Sequence, residues 1–326
     1  MANKKVQAGF LKAFDWNRDN RPDALEENTK PGVKRYFKML GRRFWKLISL
    51  NLMMLPMILP VLLIAYFYLG MDKTPTQTAA IFPQLFGANI IESTPATTYL
   101  LDLFGAQLEV PVYMDVSAYV LMAVAAIFLL VTFGWQNAGA AYILRSMVRG
   151  EPVFLFTDYF YAVRRNLKQG FLMGLVDLVA LGLLVFDFMF FSTTESSFTN
   201  DIGFFMIGAL AVIYFFMRFY IYLMMITFEL PIRKILKNAF IFVMLGIKRN
   251  LMGLLGIVLV IAVNAVLFII FRATPLGIAI PLIVCILHFL AVASFTAAYA
   301  AYPVIDRYMI APYRDNEEEN EEIEEE

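Results

Sequence analysis

Six long apolar runs separated by polar segments leave this chain few ways to fold. A run of about 20 apolar residues spans the hydrocarbon of a bilayer as a helix, whereas a soluble core seldom needs one so long. The runs fall at 47–69, 116–140, 170–191, 202–228, 251–271 and 276–304. With 60% hydrophobic and 17% charged residues and a mean hydropathy of +0.67, the chain is too apolar to cover its own surface with water-compatible groups. The predicted fold class is all-α, a polytopic membrane helical bundle of six transmembrane helices.

Charge sets the expected orientation. Of the 27 Lys and Arg residues, 12 precede Leu47, five lie between the second and third runs, and five between the fourth and fifth. The opposite loops hold only Lys73 and Arg272. The positive-inside rule then places both termini in the cytoplasm. A leader of 46 residues with 12 basic side chains is too long and too charged for the n-region of a cleaved signal peptide, so the first run is expected to stay as a span.

Three regions follow: a basic cytoplasmic segment over 1–46, a membrane domain over 47–304, and an acidic tail over 305–326. The loop at 70–115 is long and apolar enough to predict a packed outer cap. The tail ends in DNEEENEEIEEE and is expected to be disordered. Three cytoplasmic segments read as basic amphipathic helices on anionic headgroups. In the first, Val33, Phe37, Leu40, Phe44 and Leu47 form the apolar face, with Lys34, Arg35, Lys38, Arg42 and Arg43 on the rest, running into span one. In the second, Phe156, Phe160, Val163 and Leu167 accompany Arg164, Arg165 and Lys168. In the third, Pro231 opens a helix that carries Ile232, Ile235, Leu236 and Phe240 beside Arg233, Lys234 and Lys237. The tripeptide Arg-Asn-Leu at 165–167 recurs at 249–251, each time opening an outward span, which predicts a two-span repeat.

Residues 134–176 carry AGAAY at 138–142, Arg149-Gly150-Glu151, Phe154, Phe156, Phe160 and the stretch Asn166–Gln169. This segment resembles the YesL-like family of small bacterial integral membrane proteins, as do SLNLMMLPMILP at 49–60 and LKNAF at 236–240. The resemblance implies a bacterial plasma-membrane protein and an accessory role near carbohydrate uptake. Between the opening span and the small-residue segment, this chain inserts roughly 70 residues beyond the family pattern.

Polar groups inside apolar spans are costly, so they head the functional candidates. Asp177 and Arg218 sit in spans three and four, where antiparallel neighbours can pair them. A structural ion pair leads, with a solute or proton site and snorkelling as alternatives. Asn51, Gln136 and Asn137 lie toward the inner halves of spans one and two and are expected to border a polar cavity with that pair. Asn264 and His288 fall near the bilayer midplane, as an interhelical hydrogen bond or a proton-responsive site. Gly134, Ala138, Gly139, Ala140 and Ala141 permit close helix approach, within or between chains.

Several chemistries find no residues to carry them. One histidine excludes a zincin site, the single Cys285 builds neither a disulfide nor a zinc cluster, and no GxxxxGK[ST] or GxSxG sequence occurs. Asp177 and Asp187 share one helix ten residues apart, about 15 Å, too far for an aspartyl dyad. The expectation is a non-enzymatic accessory or scaffold protein with no metal, cofactor or nucleic-acid partner. Its partners would be the bilayer and a transporter or sensor subunit; the alternative is a small-solute transporter with its polar site among spans one to four.

Overall fold

The computed structural model describes residues 32–70, 116–195, 197–271 and 279–313. The packed cap expected over 70–115 lies outside the described residues from 71 onward, as do the acidic tail beyond residue 313 and the leader before residue 32. Among the described residues there are eight α-helices and no strand: α1 (Val33–Gly70), α2 (Val116–Arg149), α3 (Leu155–Arg165), α4 (Leu167–Thr193), α5 (Phe198–Thr227), α6 (Ile232–Leu245), α7 (Ile247–Phe271) and α8 (Ala279–Ile305). A π-helical turn over Asp306–Ile310 follows α8 and helix continues over 311–313, so residues 305–313 are ordered as helix and do not belong to the disordered tail expected from 305. Six of the eight, all but α3 and α6, are long and apolar enough to cross a membrane. Large apolar side chains such as Val179, Phe186, Phe205, Leu255 and Ile269 face outward along them. So much exposed apolar surface is incompatible with water and consistent with a multi-pass membrane protein.

The chain divides into two compact units, Met1–Met57 with Leu130–Glu326, and Ile58–Leu129. In the smaller unit Ala118 and Ala125 are buried while Leu62, Tyr66, Val124 and Ile127 are exposed. The larger unit holds the core, which includes Leu47, Leu50, Ile143, Met147, Met173, Tyr220, Met224, Ile235 and Phe295.

Two stretches of that unit repeat the same order: a short helix, a one-residue break, a long helix and a long return. The breaks are Asn166 between α3 and α4 and Gly246 between α6 and α7, with φ of −112° and −95°. Across each break the carbonyl accepts from the residue four places on, Gly170 N–H at 2.6 Å and Asn250 N–H at 2.8 Å. The repeat is therefore real in element order, but the Arg-Asn-Leu match is out of phase with it. Asn166 is the break itself, whereas Asn250 is already inside α7. Both asparagines nonetheless bond back to the preceding short helix, Asn166 Nδ2 to the Ala162 carbonyl and Asn250 Nδ2 to that of Val243.

Each basic amphipathic segment leaves aromatic side chains of its expected membrane face exposed and buries a second stripe against the protein. No break separates the first from span one, and α1 buries Met39, Arg43, Lys46, Leu47, Leu50, Asn51 and Met54, while Val33, Phe37 and Phe44 are exposed. The buried positions recur at helical spacing, so the stripe facing the protein includes two cations. Those cations are spent on loop carbonyls that no helix satisfies: Arg43 Nη1 donates to Glu151 O at 3.0 Å and Lys46 Nζ to Val153 O at 3.3 Å. Arg43 thus does not belong to the exposed surface assigned to it above. On α3, Leu155, Tyr159 and Ala162 are buried, and Phe156 and Phe160 are exposed beside Arg164 and Arg165. On α6, Ile235, Ala239, Phe242 and Val243 are buried and Phe240 is exposed.

Candidate functional site

Glycine brings α2 and α4 together. A Cβ on Gly134 would land on the Gly170 carbonyl, and one on Gly174 would strike the Gly134 backbone. The close approach expected of the small residues in span two is thus made within the chain at Gly134. Gly139 serves a different partner, since a Cβ there would lie 2.7 Å from the Tyr159 ring. Burial pushes the Tyr159 phenol above the ordinary tyrosine range, and its hydroxyl donates to the Gln136 carbonyl at 3.4 Å.

Three residues beyond Gly174 on α4 lies Asp177, with no exposed surface. A carboxylate this far into an apolar bundle requires partners on both oxygens. Tyr214 donates to Oδ1 at 2.8 Å, Tyr222 to Oδ2 at 2.8 Å, and Arg218 Nε lies 3.2 Å from each. The three donors stand at i−4, i and i+4 along α5, one face of one helix. Asp177 lies about 15 Å along α4 from Leu167, and Arg218 about 14 Å along α5 from Thr227. The pair holds α4 and α5 together near mid-span.

Arg218 is only partly consumed by this contact. Its side chain keeps 32% of its surface, its guanidinium carbon sits 5.8 Å from the centre of the Phe133 ring, and among the described residues no bond is made to its Nη atoms. It borders a cavity of about 380 Å³ between α2, α5 and α8, with Met54 and Ile257 completing the wall. Asn137 and Ser294 border it too. Asn137 Nδ2 donates to Phe133 O at 2.8 Å and approaches Met57 Sδ at 3.4 Å, so its amide is held while Oδ1 keeps both lone pairs. The Ser294 hydroxyl likewise has no partner among the described residues.

The other candidates lie elsewhere. Gln136 is buried, donates to Thr132 Oγ1 at 2.8 Å and leaves Oε1 without a partner among the described residues; it does not line the cavity. Asn51 does not line it either. Its Nδ2 donates to the Ile286 carbonyl at 2.5 Å and its Oδ1 accepts from Ala291 N–H at 2.7 Å, so it ties α1 into the backbone of α8. Asn264 and His288 do meet, with Asn264 Nδ2 3.4 Å from Nε2. His288 Nδ1 is 2.6 Å from the Val284 carbonyl, which accepts only from a protonated nitrogen, so in the neutral ring Nε2 accepts from Asn264. Asn264 Oδ1 is buried without a partner among the described residues. Among those residues there is also no group of three or more His, Cys, Asp or Glu side chains placed to hold a metal.

Sequence reasoning missed Tyr214, Tyr222 and Ser294. For the tyrosines a signal was available, Tyr-x3-Arg-x3-Tyr centred on the one arginine within an apolar run. Ser294 offered none, because a serine in a span can bond back to its own helix, and only the structure shows that this one does not.

A family model described as "Protein of unknown function, DUF624" matches residues 116–188, which cover α2, α3 and α4 as far as Phe188. The YesL-like proteins that the sequence resembles are DUF624 members. Asp177 lies inside the matched segment, and Arg218 and Ser294 outside it. Neither the curated proteins nor the solved structures gave a match.

Proposed function

We propose that the chain is a non-enzymatic, multi-pass protein of a bacterial plasma membrane that binds a small solute between α2, α5 and α8 as a step in its passage across the bilayer. The observation that carries this reading is the outward edge of Arg218, held in place by Asp177 and turned toward a cavity that also meets Asn137 and Ser294. A purely structural ion pair would gain nothing from leaving strong donors unspent beside a hollow in hydrocarbon. The distribution of lysine and arginine supports cytoplasmic termini. Retention of metabolites from a soluble bacterial extract by the protein in lipid nanodiscs tests the reading, with Arg218→Gln as the reference. A solute retained by the native chain and lost from the variant supports it; identical retention profiles end it.

A second reading, an accessory or scaffold protein beside a carbohydrate uptake system, rests on α3 and the residue before it, where Phe154, Phe156, Phe160 and Tyr161 are exposed next to Arg164 and Arg165. Cross-linking in native membranes and purification in mild detergent address it. Stoichiometric recovery of a permease favours this role, and recovery of the chain alone removes it.

A further inference from the structure

We infer that the cavity takes an uncharged, oxygen-bearing solute and disfavours anions, although its most prominent polar group is an arginine. The inference rests on the solute-site reading above and adds the chemical class.

An arginine beside a cavity ordinarily argues for a carboxylate or phosphate. Here the counter-charge is already built in. Asp177 is fully buried and 3.2 Å from Arg218 Nε, so the pair is neutral before any ligand enters. Among the described residues Arg218 is the sole charged one bordering the cavity. Arg145, one residue past the lining Leu144, turns away and donates to the Ile226 carbonyl and Thr227 Oγ1 at the end of α5. An anion would therefore leave the site with a net negative charge inside a low-dielectric bundle, and a cation would be held next to a guanidinium.

What the site offers instead is hydrogen bonding without net charge. Arg218 contributes N–H donors, Asn137 an acceptor oxygen, and Ser294 a hydroxyl that does either. A solute bearing carbonyl and hydroxyl oxygens satisfies all three, whereas a solute without them leaves three polar groups unpaired. The volume of about 380 Å³ is the share of roughly a dozen waters at about 30 Å³ each, so a molecule of modest size fits.

The charge preference is readable without knowing the natural solute. In the full-length chain with Cys285→Ala, Ser294→Cys places one thiol on the cavity wall. Its modification rate in nanodiscs is compared for the neutral hydroxyethyl, anionic sulfonatoethyl and cationic trimethylammonioethyl methanethiosulfonates, each divided by its rate with a free thiol. The expected result is that the neutral reagent reacts at least about tenfold faster than either charged one, a floor set by roughly 1.4 kcal/mol of charge-burial cost. Asp177→Asn, which uncovers the guanidinium charge, is expected to raise the anionic rate selectively. An anionic rate equal to or above the neutral one in the native background overturns the inference and leaves the solute site standing. Failure of all three reagents to reach the thiol overturns both. The native-background comparison decides the matter even if Asp177→Asn does not fold.

Discussion

Asn51 on α1 accepts a hydrogen bond of 2.7 Å from the backbone N–H of Ala291 on α8, while the same side chain donates to the Ile286 carbonyl. A helix that takes a side chain into its backbone ladder depends on that side chain remaining there. Replacing Asn51 by Leu withdraws two bonds from the backbone of α8, and the buried Ala291 N–H alone costs about 1–3 kcal/mol when left unpaired. Thermal unfolding in detergent should show Asn51→Leu among the more destabilising substitutions of α1, well beyond Leu52→Ala on the exposed side.

The Asp177 cluster predicts strong non-additivity. Asp177→Asn leaves a guanidinium without its counter-charge, a loss on the order of 3–5 kcal/mol for a buried pair. Tyr214→Phe and Tyr222→Phe each remove one phenol donor from a charged acceptor, about 1.5–3 kcal/mol. The double variant Asp177→Asn with Arg218→Gln should cost less than the sum of its singles, and a double-mutant cycle of unfolding free energies measures the difference. Additive costs would mean that the pair contributes nothing as a pair.

Glycines on one bundle should respond in opposite ways. Gly134→Ala drives a methyl group into the Gly170 carbonyl, forcing α2 and α4 apart at a cost of about 1–3 kcal/mol or more. Gly182 and Gly208 have nothing within 4 Å of a built Cβ. Alanine there should be neutral or mildly stabilising, since glycine in a helix interior is worth about 0.5–1 kcal/mol less than alanine. Melting temperatures of the three variants, compared side by side, check the contrast.

The Asn264–His288 contact should prove dispensable. Asn264 Nδ2 already donates to Val260 one turn back on its own helix, and Oδ1 is buried without a partner among the described residues. Removing both members in Asn264→Leu with His288→Phe is expected to leave stability unchanged or slightly raised. A large loss in the unfolding midpoint would show that the pair holds α7 to α8.

The number and approximate positions of the six long apolar helices were legible because hydrocarbon thickness and helix rise leave little freedom to an apolar run of that size, although several helices run well past the runs that announced them. The pairing of Asp177 with Arg218 was legible for a related reason, since opposite charges at similar depth on neighbouring spans have few other partners. The rotation of α1 was legible only in part. Its pattern turns Val33, Phe37 and Phe44 toward the membrane, and the structure leaves them exposed, but the pattern also kept Arg43 on the polar surface, whereas the protein interior takes Arg43 and Lys46, whose donors the α2–α3 loop needs. In a bilayer the apolar face of a helix does not identify the core. The split between Asn51 and Asn137, one tying helices and the other bordering the cavity, was hidden as well, because it depends on which carbonyl each meets across the bundle.

The unbroken run of α1 from Val33 past Asn51 has a mechanical meaning. No glycine break or proline interrupts the path between Val33 and Asn51 except Gly41, which stays helical with nothing within 4 Å of its built Cβ. A pull or twist applied to the chain at Val33 therefore has no joint in which to dissipate before it reaches Asn51, and through Asn51 the Ala291 turn of α8, a few residues from Ser294. The amino-terminal end of α1 and the cavity wall are thus joined by one unbroken helix and one side-chain bond.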